Sequence, residues 1–536
     1  MVDQPAFKFI DLFAGIGGFH AVMKAFGGEC VYAIEIDKAA AAVYDANWGL
    51  HGGESALGDI TQDADDEQGV MNVPPHDVLC AGFPCQPFSK SGAQRGMDEA
   101  RGTLFYNIAS IIKAHHPKVV LLENVRNLIG PRHEHEWHVI IKTLRQEGYH
   151  VSYKPAIFSP HLLPEHLGGT PQVRERVFIT ATYAPYRVPR EADGSIAEME
   201  TGPAPVADMA RRFPREPDSD GLFDPGHPDH GWDLDKLLDD SHNIDGCTLT
   251  ASERLWIDAW DEFKTMMYDR TGEHLKGFPY WADSWRDFPQ VENLVRRNLP
   301  RPERDGATGH YLPLGDMPRK WMPSRVTRPR IDPDLPEWRK SHLRRNYDAF
   351  EAHWEDILAW AYRWGVYTDL FPASRRKLEW QAQDTKRLWD TIMHLRPSGI
   401  RAKRATYVPA LVAITQTTIV GTRERRMSPR ETARLQGLPD SFIFPNQRDA
   451  ATYKQLGNGV AIGAVQHIFR EHLLRDAQIL ANYAEDNVKS PNGLPYDPDG
   501  VGQRLAEAAS TTPAQVQEFL QNHVPAALNG LADSEG

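Results

Sequence analysis

The chain has 536 residues, of which 41% are apolar and 25% charged, with 73 acidic against 60 basic side chains and a formal net charge of −13. That length accommodates about two to four domains. Four cysteines (Cys30, Cys80, Cys85, Cys247) are too few for a disulfide scaffold, and no run approaches the ~20 apolar residues of a membrane span. The opening Met-Val-Asp-Gln-Pro lacks the basic and apolar regions of a secretion signal, so a soluble cytoplasmic protein with reduced thiols is expected.

Residues 8–182 alternate short continuous apolar runs with helical patterns. The runs are Phe9–Phe13, Val31–Ile34, Val78–Ala81, Val119–Leu122 and Val177–Thr180, the form taken by parallel strands buried on both faces. Helical periodicity covers His20–Phe26, Lys38–Asn47, Leu104–Ala114 and Trp137–Glu147. The order predicts an α/β fold with a doubly wound, mostly parallel sheet and right-handed crossovers.

From about residue 185 the texture changes. Twelve of the fourteen tryptophans fall between Trp232 and Trp389, and at helix-like spacing most of them read as a second core. Near 405 the alternating order returns, and Ser428-Pro429-Arg430-Glu431 predicts a helix start with Ser as cap and Pro at the first position. The polar, Ala/Gly/Pro-rich remainder reads as an appendage with a helix from Thr512-Pro513. The expected boundaries are 1–185 and 401–475 for the α/β domain, 186–400 for a large inserted region, and 476–536 for the appendage.

The first strand runs into Gly15-x-Gly17-Gly18, a turn that lets backbone amides approach a ligand. A dinucleotide fingerprint needs a small residue where this chain has His20, which argues against NAD or FAD. Glu35 lies twenty residues after Gly15, at the end of the second run, and Asp59 ends a third. Further strands deliver Phe83-Pro84-Cys85-Gln86-Pro87-Phe88 and Glu123-Asn124-Val125 to the same crevice, where ligands of open α/β sheets bind. Alone, Cys85 also reads as a buried thiol and Glu123 as a salt-bridge partner of Arg126. His133, His135 and His138 match no zinc-site spacing and read as a polar loop and helix start, so no metal is expected.

Asp11–Phe19, Pro84-Cys85-Gln86, Glu123-Asn124-Val125, Gln172-Val-Arg174-Glu-Arg176 and Gln455-Leu-Gly-Asn458-Gly-Val460 resemble, in this order, the motifs of the DNA cytosine-5 methyltransferase family, over roughly residues 8–182 and 396–470. The resemblance implies a class I S-adenosylmethionine-dependent, Rossmann-like fold. Its cofactor would be S-adenosylmethionine, held by Phe13, Gly15, Gly17, Glu35, Asp59, Leu104, Asn458 and Val460. Two departures stand out: Ile36, where relatives often have an aromatic against the adenine, and Gly459, where they often have Ser or Ala.

The resemblance further implies that Cys85 adds to C6 of a flipped-out cytosine and Glu123 serves its N3. Arg174 and Arg176 would orient the base or hold a phosphate. The Gly/Ser-rich stretch Phe88–Met97 would close over DNA, with Gln86 and Ser91 in contact. The inserted region would be the target-recognition domain, with Arg401, Lys403 and Arg404 facing a groove. Local charge agrees with a basic working face: nine Lys/Arg against three Asp/Glu lie between Arg319 and Arg345, and nine acids against one Lys between Glu216 and Asp240. Charge alone fits two solvated faces of opposite sign equally well.

The expected protein is a prokaryotic restriction-modification methyltransferase, a monomer acting on double-stranded DNA and nucleoid-associated. It would be paired functionally with an endonuclease without a stable complex. The cofactor motif lies close to the first residue, so the regulatory modules of long eukaryotic relatives are not expected. A tRNA cytosine-5 methyltransferase is disfavoured by the long Trp-rich insert. A catalytically inactive DNA-binding subunit is disfavoured because Cys85, Glu123 and both arginines are present.

Overall fold

A computed structural model describes residues 4–50, 53–84, 103–188, 190–191, 195–196, 202–207, 234–411, 417–483, 489 and 496–523. The chain forms two units, one of Met1–Trp232, Pro409–Ile414 and Pro429–Gly536, the other of Asp233–Val408 and Thr415–Ser428.

In the first unit, β1 (Phe7–Leu12), β2 (Gly28–Ile34), β3 (Val78–Ala81), β4 (Val119–Val125), β5 (Tyr149–Val151), β6 (Ala156–Phe158) and β7 (Arg176–Tyr183) make one sheet. Its order is β2-β1-β3-β4-β7-β5, with β6 also paired to β7. The strands β2, β1, β3 and β4 are mutually parallel. All four residues of β3 and the first six of β4 are buried, as a strand covered on both faces requires. Between the strands run α1 (Gly18–Ala25), α2 (Lys38–Asn47), α3 (Leu104–His115) and α4 (Glu134–Gln146). Asp37 caps α2 by accepting from the amides of Ala39 and Ala40, and His133 directly precedes α4.

Two expectations are corrected. The run Val177–Thr180 is not parallel: β7 is antiparallel to β4, β5 and β6. The chain enters it from the short strand β6 without a crossover helix, so it approaches from the opposite end of the sheet. Asp59 ends no strand. Its segment makes one isolated bridge, Glu35 to Leu57, and Asp59 caps the single turn Ile60–Asp63 by accepting from Thr61 N and Oγ1.

The returning chain adds helices Asp449–Asn458, Ile462–Arg475, Val501–Ala508 and Pro513–His523. Ile462, Phe469, Leu505 and Leu520 are buried in the same apolar core as the sheet. At the last helix, Thr512 and Gln515 cap each other reciprocally.

The second unit has a sheet of β8 (Pro279–Trp281), β9 (Lys377–Gln381), β10 (Thr391–Arg396), β11 (Gly399–Arg404), β12 (Ile419–Val420) and β13 (Arg425–Arg426), ordered β8-β9-β11-β10-β12-β13. Its core is rich in tryptophan: Trp260, Trp285, Trp360 and Trp380 are fully buried. Each buried indole N–H needs an acceptor. Trp260 donates to Arg375 O at 2.8 Å, Trp360 to Ala259 O at 2.6 Å and Trp285 to Asn346 O at 3.1 Å.

Candidate active site

A cavity of ≈ 430 Å³ opens in the first unit, at the carboxyl ends of β1, β2, β3 and β4. One end is lined by Phe13, Gly15, Glu35, Ile36, Asp59 and Leu104, the other by Pro84, Glu123, Asn124, Arg174 and Arg176, and Asn458 and Val460 complete the wall.

At the glycine turn, Phe13, Gly15 and Gly17 all have positive φ (57°, 57° and 87°), which bends β1 tightly into α1. Gly17 has a second reason to lack a side chain. A Cβ there would lie 2.1 Å from Trp48 Nε1, and that indole donates to Ile16 O at 3.0 Å, so the ring holds the turn from behind. A Cβ on Gly18 would meet Val460 Cγ2 at 2.5 Å.

Glu35 accepts from the amides of Gly15 (2.9 Å) and Asp37 (2.7 Å). Each of its oxygens keeps a further lone pair for a ligand hydroxyl. Beside it Ile36 is 71% exposed, and Asp37 pairs with Lys454 at 2.8 Å.

At the other end Glu123 is 8% exposed. Burial raises its pKa, while the charges of Arg176 and Arg174 pull in the opposite direction. Arg176 Nε lies 2.9 Å from Glu123 Oε1. Arg126, the sequence alternative, pairs instead with Glu175. The antiparallel turn of β7 creates the first contact: Arg176 is opposite Val125 and Phe178 opposite Glu123, so Arg176 and Glu123 are diagonal neighbours on one face. A parallel β7 would have put its first residue at the far end of the sheet from Glu123.

Alternate residues of the Gln-x-Arg-x-Arg motif divide the work. Gln172 Nε2 donates to Leu435 O at 2.9 Å. Arg174 donates to the carbonyls of Leu411 (2.9 Å), Gly457 (2.9 Å) and Gly459 (2.6 Å). Both therefore hold the returning chain, and Arg176 alone holds Glu123. Burial and the like charge of Arg176 lower the pKa of Arg174. Asn124, which sequence reasoning quoted without a role, donates from Nδ2 to Phe83 O at 2.9 Å and accepts from Val125 N. It ties the Phe83-Pro84 turn to the end of β4. Trp48 was also missed, because its contact with Gly17 joins positions far apart in sequence.

Cys85, Gln86 and Ser91 lie outside the described residues. On β11 of the second unit, Arg401 contacts Glu379 through Nε (2.8 Å) and Nη2 (2.7 Å), and Arg404 pairs with Asp384. Burial, with Arg401 and Arg396 nearby, lowers the pKa of Lys403.

A parallel sheet with a glycine turn after its first strand and an acid after its second is the framework of class I S-adenosylmethionine-dependent methyltransferases. The family model for C-5 cytosine-specific DNA methylases matches residues 7–473, and the chain belongs to that family. It is 60% identical over 490 residues to Type II methyltransferase M.AluI of Cellulosimicrobium cellulans, a match covering 88% of this chain and 93% of the relative. Type II methyltransferase M.HhaI of Haemophilus parahaemolyticus is 42% identical over 172 residues, covering 32% of this chain and 48% of that one. Type II methyltransferase M.NlaX of Neisseria lactamica is 45% identical over 175 residues, covering 32% and 51%. The protein is thus a DNA (cytosine-5-)-methyltransferase, and its family implies S-adenosylmethionine as methyl donor. No helix among the described residues is long and apolar enough to cross a membrane.

Proposed function

We propose that the cavity holds S-adenosylmethionine at its glycine end and a flipped-out cytosine at its Glu123 end. The observation that carries this reading is that one space joins both ends, with Pro84, the residue before Cys85, in its lining. Phe13, Gly15, Gly17, Glu35, Asp59, Leu104, Asn458 and Val460 would hold the cofactor, Glu35 through the ribose hydroxyls and Asp59 through the adenine amine. The residues present fit such a group: a turn shaped by positive φ, a carboxylate with lone pairs to spare, and an exposed apolar side chain at Ile36.

The cofactor supplies an electrophilic methyl sulfonium. Cytosine C5 is too poor a nucleophile to attack it unaided. The Cys85 thiolate adds to C6, forming an S–C6 bond and pushing the ring electrons toward N3. Glu123, whose burial favours its protonated form, gives N3 a proton or a strong hydrogen bond. C5, now enamine-like, would receive the methyl group as the methyl's bond to the sulfonium breaks, leaving a neutral thioether. Loss of the C5 proton to water restores the C5–C6 double bond and expels the thiolate, and the N3 proton returns to Glu123. Arg176 fixes the Glu123 carboxyl, and Arg174 serves as a positioning residue that holds the cofactor wall.

The second unit would read the target sequence, with Arg401, Lys403 and Arg404 toward a groove. Like its Type II relatives, the enzyme would protect host DNA from a partner endonuclease, acting as a monomer without a stable complex. The test is trapping on duplex DNA containing 5-fluorocytosine, whose C5 fluorine blocks elimination. A covalent adduct with wild type and none with Cys85→Ala is expected. No adduct with wild type in the presence of S-adenosylmethionine, or an equal one with Cys85→Ala, overturns the mechanism.

A further inference from the structure

The second unit carries a cationic ridge that the chemistry above does not use. From Met317 to Leu335 the only regular element is the short turn Arg319–Trp321, yet the segment is fastened down at intervals. Met317 is buried, and Trp321, Met322, Val326, Ile331 and Leu335 pack against the tryptophan core. Trp321 also meets Tyr362 edge-on at 5.6 Å. Between these anchors stand exposed cations, Arg319, Lys320, Arg325 and Arg330, continued by Arg339 and Arg345 on helix Glu337–Ala352.

None of these six has an ion-pair partner among the described residues. Their neighbours Arg328, Lys340 and Arg344 are neutralised by Asp348, Glu351 and Glu337. Trp338, on the same helix, is 67% exposed. The exposed acids Asp332 and Asp334 lie in the same stretch, so a chain with net charge −13 here sets six unpaired cations against two unpaired acids, among the described residues, on an apolar-anchored backbone. An excess of like charge is a cost that a polyanion would relieve.

We infer that this ridge follows the phosphate backbone of duplex DNA flanking the target sequence, and so provides affinity that is independent of base identity. Neutralising phosphates releases condensed counterions, which lowers log K by ~0.9 per contact for each decade of salt. The inference rests on DNA being the substrate, and the experiment separates the two.

Binding of non-cognate duplexes of about one and about three helical turns (~10 and ~30 bp) is measured against salt. The proteins are wild type, the quadruple variant Arg319→Ser/Arg325→Ser/Arg330→Ser/Arg339→Ser, and the same four positions changed to Lys. The Ser variant is expected to flatten the salt slope by about 2–4 on the longer duplex and to lose the affinity gained with length. The Lys variant is expected to keep both. Single changes Arg325→Ser and Arg330→Ser, each flattening the slope by ~0.9, give the same reading if the quadruple variant does not fold. An unchanged slope in folded Ser variants overturns the ridge while leaving methyl transfer intact. Failure of wild type to methylate any duplex would sink the substrate reading instead.

Discussion

Glu123 and Arg176 come from opposite ends of strands that run in opposite directions, and they meet with Nε 2.9 Å from Oε1. The arginine fixes the carboxyl group, and burial keeps that carboxyl protonatable.

Glu123→Gln should lower turnover by about 10²–10⁴-fold, the usual worth of a placed acid, and Arg176→Ala should follow it. In wild type, methyl transfer should decline as pH rises through the raised pKa of Glu123, a limb absent from Glu123→Gln. The sign for stability is the same. A folded-state pKa above the unfolded one means that the folded protein keeps a proton the unfolded chain has lost. Stability is therefore full below the unfolded pKa and falls as pH rises through the folded one. A pH series of single-turnover rates and melting temperatures checks both; a pH-independent rate in wild type contradicts the role.

Asn124→Ala removes the tie between β4 and the Phe83 carbonyl. A buried carbonyl left without its donor costs about 1–3 kcal/mol. Because that turn leads into Cys85, the rate of adduct formation on 5-fluorocytosine DNA should fall by more than cofactor affinity does. Calorimetric titration with S-adenosylmethionine supplies the comparison.

Gly17→Ala meets the Trp48 ring and a φ of 87°. Strain and overpacking together should cost about 2–4 kcal/mol and weaken cofactor binding. Adding Trp48→Ala should recover part of the melting temperature, since it relieves the clash but not the backbone strain.

Arg174→Lys replaces a planar fork that reaches three backbone carbonyls with a single ammonium on a flexible stem. The expected effect is a rise in KM for S-adenosylmethionine of about tenfold, equivalent to ~1.4 kcal/mol, with a smaller fall in kcat. Steady-state kinetics at saturating DNA distinguish this from loss of a catalytic group, which would lower kcat first.

Ile36→Phe enlarges the exposed surface beside Glu35. An aromatic stack adds about 0.5–1.5 kcal/mol, so Kd for S-adenosylmethionine should drop by roughly two- to tenfold in titration. Unchanged affinity would move the adenine away from position 36.

Much of the first unit could be read from its residues. Short apolar runs marked β1 to β4 because strands covered on both faces leave no polar alternation to confuse the pattern, and α2 fell on its expected bounds. Direction was less legible: nothing in Val177–Thr180 says which way the strand points, since pairing sense is set by the connection before it. Asp59 looked like a strand end because Asp at a strand exit and Asp at a helix cap share the same neighbours. The turn at Gly17 was visible, but the indole that fills the space behind it was not, because that contact is made by folding across thirty-one positions. In the second unit the tryptophans announced a core. The ridge was present only as a count of charges until the ion pairs separated neutralised arginines from free ones.

Arg174 binds carbonyls that lie more than 230 positions further along the chain. On a ribosome, then, a nascent polypeptide that has finished its glycine turn and its nucleophile still lacks one side of the chamber. Prematurely released fragments should be inert toward the genome that encodes them, and two separately expressed pieces should regain competence only on reassociation.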